Sequence, residues 1–109
     1  GICFGHELIA YAFGGSLKSL GERHRSFTEI QVTQEHAMFG GEKKFTVYEN
    51  HLVGVCDVGS ELTILARSDH AIAAFKHNTK PIYGMQFHPE HHTNEQFGDE
   101  VFLSLVSSL

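Results

Sequence analysis

The tightest constraint on how this chain folds comes from Gly1-Ile2-Cys3-Phe4-Gly5-His6, a cysteine between two glycines directly ahead of an amphipathic stretch. Glycine tolerates backbone conformations closed to other residues, so the run is expected to be a strand end, a sharp turn and then a helix. In Glu7 to Phe13 the apolar residues Leu8, Ile9, Ala12 and Phe13 recur at helical spacing, and Gly14-Gly15 is expected to close the helix. A turn of this kind is a nucleophile elbow, which leaves the side chain at its apex exposed. At the helix N-terminus Cys3 would feel the positive end of the helix dipole, which favours thiolate. The Phe4 N–H would face an oxyanion formed on a carbonyl attacked by the sulfur.

A lone cysteine reads more readily as a small buried residue at a strand end. A second segment, Pro81-Ile82-Tyr83-Gly84-Met85-Gln86-Phe87-His88-Pro89-Glu90, changes that reading: a strand-like run delivers an imidazole and, two residues on, a carboxylate. Nucleophile, base and orienting acid are then all present, and Pro89 restrains the spacing of the last two.

Gly-Ile-Cys-Phe-Gly-His and Gln-Phe-His-Pro-Glu resemble the two signature motifs of the class I, or triad, glutamine amidotransferases. The resemblance implies an α/β fold, a flavodoxin-like doubly wound sheet with an added antiparallel strand cluster, of which these residues form the C-terminal portion, the N-terminal part of the single domain being absent. It implies glutamine amide hydrolysis with Cys3 as nucleophile, His88 as general base and acid, and Glu90 orienting the imidazole. It places Phe4, Glu7, Asn50 and His51 at the substrate. The stretch Arg67-Ser68-Asp69 through Ile72 to His77 and on to Gly84 most resembles the glutaminase part of GMP synthase. The implied partner is then an ATP-pyrophosphatase synthetase subunit or domain that takes up the ammonia and converts XMP to GMP. The glutaminase itself needs no cofactor, and ATP and magnesium would belong to that partner. Two departures stand out. Glu7 occupies a position usually held by Gln; an ionised carboxylate accepts hydrogen bonds but donates none, and its charge near the thiolate would oppose the depression that the helix dipole provides. Asn50-His51 stands where the family commonly has Ser-His, and the Asp expected shortly after is missing from Leu52-Val53-Gly54-Val55. That pair reads either as a pocket segment or as a strand-ending turn. These departures keep two alternatives open, a catalytically impaired partner-binding domain and a γ-glutamyl hydrolase using the same Cys-His machinery.

The remaining stretches supply strands. Ser16 to Leu20 and Ser26 to Thr33 are expected as two short strands separated by a solvated charged turn at Gly21-Glu22-Arg23-His24-Arg25. Lys43 to Glu49, Leu62 to Ala66 and Ala71 to Lys76 extend the meander, and Met38-Phe39 is expected to pack just before the third strand. Val101, Phe102, Leu105 and Val106 mark the inward face of a C-terminal helix. His6 is expected as a simple turn residue.

Composition excludes several classes. A formal charge of −5 with eight Lys and Arg gives no basic surface for nucleic acid. No apolar run reaches the length of a membrane span. Two cysteines make no disulfide framework, which fits a reducing, cytoplasmic setting. Nine histidines invite a metal site, but no HExxH or paired CxxC occurs, and adjacent His91 and His92 would point apart on an extended segment. No metal is expected.

Overall fold

The computed structural model describes residues 1–89 and 98–108. Glu90 and the expected polar loop from His91 to Gln96 lie outside the described residues. The elements run α1 (Phe4–Ala12), β1 (Ser16–Val32), a 3₁₀ turn (Ala37–Phe39), β2 (Lys44–Asp57), β3 (Leu62–Arg67), β4 (Ile72–His77), β5 (Tyr83–Met85) and α2 (Gly98–Ser108). The strands form one sheet in the order β2-β1-β3-β4-β5, with antiparallel neighbours throughout. At the β5 edge Ile2 pairs with Met85 in parallel, and this bridge ties the elbow to the sheet.

Residues 44 to 51 alternate exposed or half-buried with buried side chains without a break, as one covered sheet face requires. Phe45 and Val47 join Ile30, Leu65, Ala73, Met85 and Phe87 in the larger core, which Val101 and Leu105 of α2 complete. Met38 and Phe39 are buried there too, as their position ahead of β2 suggests. A second, smaller cluster of Ala10, Val55, Leu62, Ile72 and Phe75 seats α1. Both helices therefore cover apolar sheet surface, and β4, which contributes to both clusters, is buried along nearly its whole length.

Four local expectations are corrected. Residues 16–32 form one 17-residue strand, because pairing with β2 carries the chain through the supposed turn as a bulge. Of the two readings of Asn50-His51 the strand-ending turn is overturned: the pair sits inside β2, since Arg25 and His24 of β1 pair with it and continue the ladder. The inward face of α1 is His6, Glu7 and Ala10 with half-buried Ile9 and Phe13, while Leu8 is 52% exposed and Ala12 is exposed. In α2 Val101 and Leu105 are buried and Phe102 packs against the core, but Val106 is 49% exposed.

Candidate functional site

Cys3 stands at φ 52, ψ −103, the one non-glycine residue with positive φ among the described residues. A side chain there is strained by about 1–3 kcal/mol, a cost that persists only where the surroundings impose it. The constraint is visible. Cys3 N–H donates to Met85 O at 2.7 Å and Met85 N–H to Gly1 O at 2.8 Å, so β5 clamps the turn from its N-terminal side. On the other side Gly5 N–H donates to Ile2 O at 3.0 Å and Glu7 N–H to Cys3 O at 3.1 Å, opening α1. Gly1 is needed because a Cβ there would lie 2.5 Å from the Gly5 carbonyl carbon. The elbow expected from the glycines is therefore present.

β2 is an edge strand, and its outer edge meets both motifs. The Cys3 thiol lies 3.5 Å from Asn50 O, and His88 N–H donates to Tyr48 O at 2.9 Å. Carbonyls two residues apart on a strand point the same way and lie about 7 Å from each other. The segments carrying Cys3 and His88 are thus brought to neighbouring points on one strand edge. The half-buried His88 also packs its ring near Tyr48, with centroids 6.5 Å apart.

Cys3, Phe4, Glu7, Asn50 and His51 line one cleft of about 270 Å³, together with Arg23, Leu52 and Val53. All four residues assigned to substrate from the resemblance therefore surround the thiol. Phe4 is 67% exposed, and its backbone N–H beside the sulfur favours the thiolate.

The electrostatics correct one expectation. The Cys3 thiol is pushed above its ordinary value, first by burial and then by the Glu7 carboxylate, and these outweigh the Phe4 N–H and the Gln86 amide, which lower it. The positive helix end does not prevail because the sulfur is itself half-buried and, next in weight, because the Glu7 carboxylate is buried close by. Gln86, buried at 1% exposure, links the two: its Nε2 donates to Glu7 Oε2 at 3.0 Å and lies 3.8 Å from Cys3 Sγ. Substituting Glu7→Gln keeps an acceptor for Gln86 and removes the charge. The variant is expected to alkylate at Cys3 severalfold faster at neutral pH, its pH–rate curve moving to lower pH. Iodoacetamide kinetics over a pH series check this, and an unmoved curve would refute a charge effect of Glu7 on the thiol.

Beneath the cleft lies a cluster that pattern reading missed. Glu49, 1% exposed, accepts from His51 Nε2 at 3.2 Å, and His24 Nε2 approaches the same oxygen at 3.6 Å. His51 Nδ1 donates to Val53 O at 2.7 Å. Burial draws the His51 pKa down, but Glu49 and the Val53 carbonyl together outweigh it, and the net direction is up. His24 is lowered by burial and by the His70 ring 4.2 Å away. The available signal was the spacing Glu49-x-His51-x-Val53, which puts all three on one strand face. Arg23 and His24 were hidden in the supposed solvated turn. Among the described residues no group of three His, Cys, Asp or Glu side chains is arranged to hold a metal ion.

Comparison with known proteins points the same way. The family model described as glutamine amidotransferase class-I matches residues 1–107. The chain is 42% identical over 92 residues to the glutamine-hydrolyzing GMP synthase subunit of Pyrococcus abyssi, covering 83% of this chain and 49% of that one. It is 40% identical over 104 residues to the like-named protein of Methanocaldococcus jannaschii, covering 93% and 54%. A crystal structure from Thermoplasma acidophilum, described as that of a GMP synthase subunit, superposes with a TM-score of 0.84 at 32% identity over 98% of this chain and 54% of that one. The chain thus spans about half the length of the curated relatives it matches. No helix among the described residues is long and apolar enough to cross a membrane.

Proposed function

The chain belongs to the class I glutamine amidotransferase family, and from that membership we propose that it carries the catalytic elbow and base of a glutamine-hydrolysing enzyme. The observation that supports this most is the cleft in which a strained cysteine meets Phe4, Glu7, Asn50 and His51. Cys3 thiolate attacks the side-chain amide carbon of glutamine, and the developing oxyanion is met by the Phe4 N–H. His88 gives a proton to the departing ammonia and later takes one from the water that hydrolyses the thioester, releasing glutamate. Glu90 orients the imidazole and supports its positive charge. The ammonia passes to an ATP-dependent synthetase partner that aminates XMP to GMP, a reading supported by relatives named for GMP synthase.

The test is covalent trapping. In the full-length protein a glutamine analogue carrying a diazoketone in place of the amide is expected to label Cys3 alone, glutamine is expected to protect it, and ammonia release is expected to stop in step with labelling. A peptide map with the adduct elsewhere would refute the nucleophile assignment. The Glu7 carboxylate, standing where the family usually has Gln and buried beside the thiol, favours a second reading, a family member that binds its partner without turnover. That reading predicts no ammonia release and no glutamine-protected adduct.

A further inference from the structure

Arg23 reaches the cleft through an irregularity in β1. Ser19 pairs with Val53 and His24 with His51, so residues 20–23 stand across from Leu52 alone. Gly21, at φ 87, makes the required left-handed step, and its N–H donates to the Ser19 hydroxyl at 3.1 Å. A bulge of this kind re-aims a side chain that a regular ladder would hold over the sheet. Here it turns Arg23 to the cleft, where Nη1 donates to Asn50 Oδ1 at 3.0 Å.

Asn50 therefore spans the site. Its backbone carbonyl meets the Cys3 thiol and its side chain meets the guanidinium. Among the described residues that line the cleft, His51 is already held by Glu49 and the one carboxylate, Glu7, is engaged by Gln86 at the sulfur end, so Arg23 is the cation left to meet an anionic ligand. A guanidinium has five donors in a planar fork, so the bond to Asn50 leaves most of them available for a carboxylate. A substrate whose amide carbon sits at Cys3 and whose far end is a carboxylate matches this polarity.

We infer that Arg23 binds the α-carboxylate of the amino-acid substrate and makes the site select free glutamine over other primary amides. The inference rests on the proposed glutamine hydrolysis. Arg23 is a specificity residue and takes no part in bond making.

The test uses the full-length protein and two ligands, glutamine as substrate and 4-aminobutyramide, which keeps the amide and amine and lacks the carboxylate, as competitor. Arg23→Gln retains a donor for Asn50 Oδ1 and removes the charge. It is expected to raise KM for glutamine about tenfold with kcat little changed, because an exposed charge-assisted bond is lost. The inhibition constant of 4-aminobutyramide is expected to stay put, and Arg23→Lys to recover part of the loss. If KM and the inhibition constant rise together, Arg23 only shapes the cleft and the inference is overturned. An unchanged KM overturns it too. In either case the parent protein still turns over glutamine and the catalytic reading stands, whereas a parent that releases no ammonia removes both.

Discussion

Replacing Cys3 with alanine in the full-length protein is expected to lower glutamine hydrolysis by on the order of 10⁴-fold or more while leaving the fold intact. Two features make this substitution clean. Alanine keeps the Cβ, so the strain at φ 52 and the clamp by Met85 and Gly5 are the same in both proteins. The sulfur's own contacts are weak, 3.5 Å to Asn50 O and 3.8 Å to Gln86, so little stability leaves with it. A companion variant, Cys3→Gly, relieves the positive-φ strain and is expected to be equally inactive yet more stable than Cys3→Ala, by about 1 kcal/mol. Ammonia release and urea midpoints check both statements together. Turnover surviving in Cys3→Ala would leave the elbow without a catalytic purpose.

The second large effect concerns acid. His6 is fully buried, its ring stacks on Phe75 with centroids 4.7 Å apart, and its Nε2–H donates to Ile72 O at 3.1 Å. Gly84 packs against it so tightly that a Cβ there would lie 2.7 Å from Nδ1. Burial, foremost, holds its pKa down at about 4 against an ordinary 6.5. The sign follows from linkage. Above pH 6.5 the imidazole is neutral in both folded and unfolded chains and contributes nothing. As pH falls below 6.5 the unfolded chain takes up a proton that the folded one refuses, so stability is lost until pH reaches about 4. The difference amounts to about 3 kcal/mol, a large part of the ~5–15 kcal/mol that holds a domain together. His6→Gln can still donate to Ile72 O and does not titrate, so its stability is expected to fall by about 3 kcal/mol less between pH 7 and pH 4. His51 shifts the opposite way, but it is present in both proteins and cancels in the comparison. Denaturant titrations at the two pH values measure the difference, and parallel curves would show that His6 is not the acid-sensitive group.

Residue by residue, what could be read from the sequence was whatever one segment specifies alone. Glycines around Cys3 announce the elbow, alternation from Phe45 onward announces β2, and the helical spacing of Val101 and Leu105 announces α2's buried stripe. His6 looked like an ordinary turn residue because its burial is imposed by Phe75 and Ile72, far along the chain. The supposed turn at Gly21 to Arg25 failed similarly: its charges resemble a solvated loop, and only β2 across from it turns them into a bulge with Arg23 in the cleft.

By itself, then, the sequence determined the elbow, the order of the two motifs and the family, because short-range backbone preferences and motif spacing are written into consecutive residues. The tertiary structure alone decided that Asn50 and His51 lie in a strand, that Glu49 is buried beneath the cleft, and that the Cys3 thiol is pushed up. Those outcomes depend on desolvation and on distances between side chains dozens of residues apart, quantities that come into being only when the sheet closes around them.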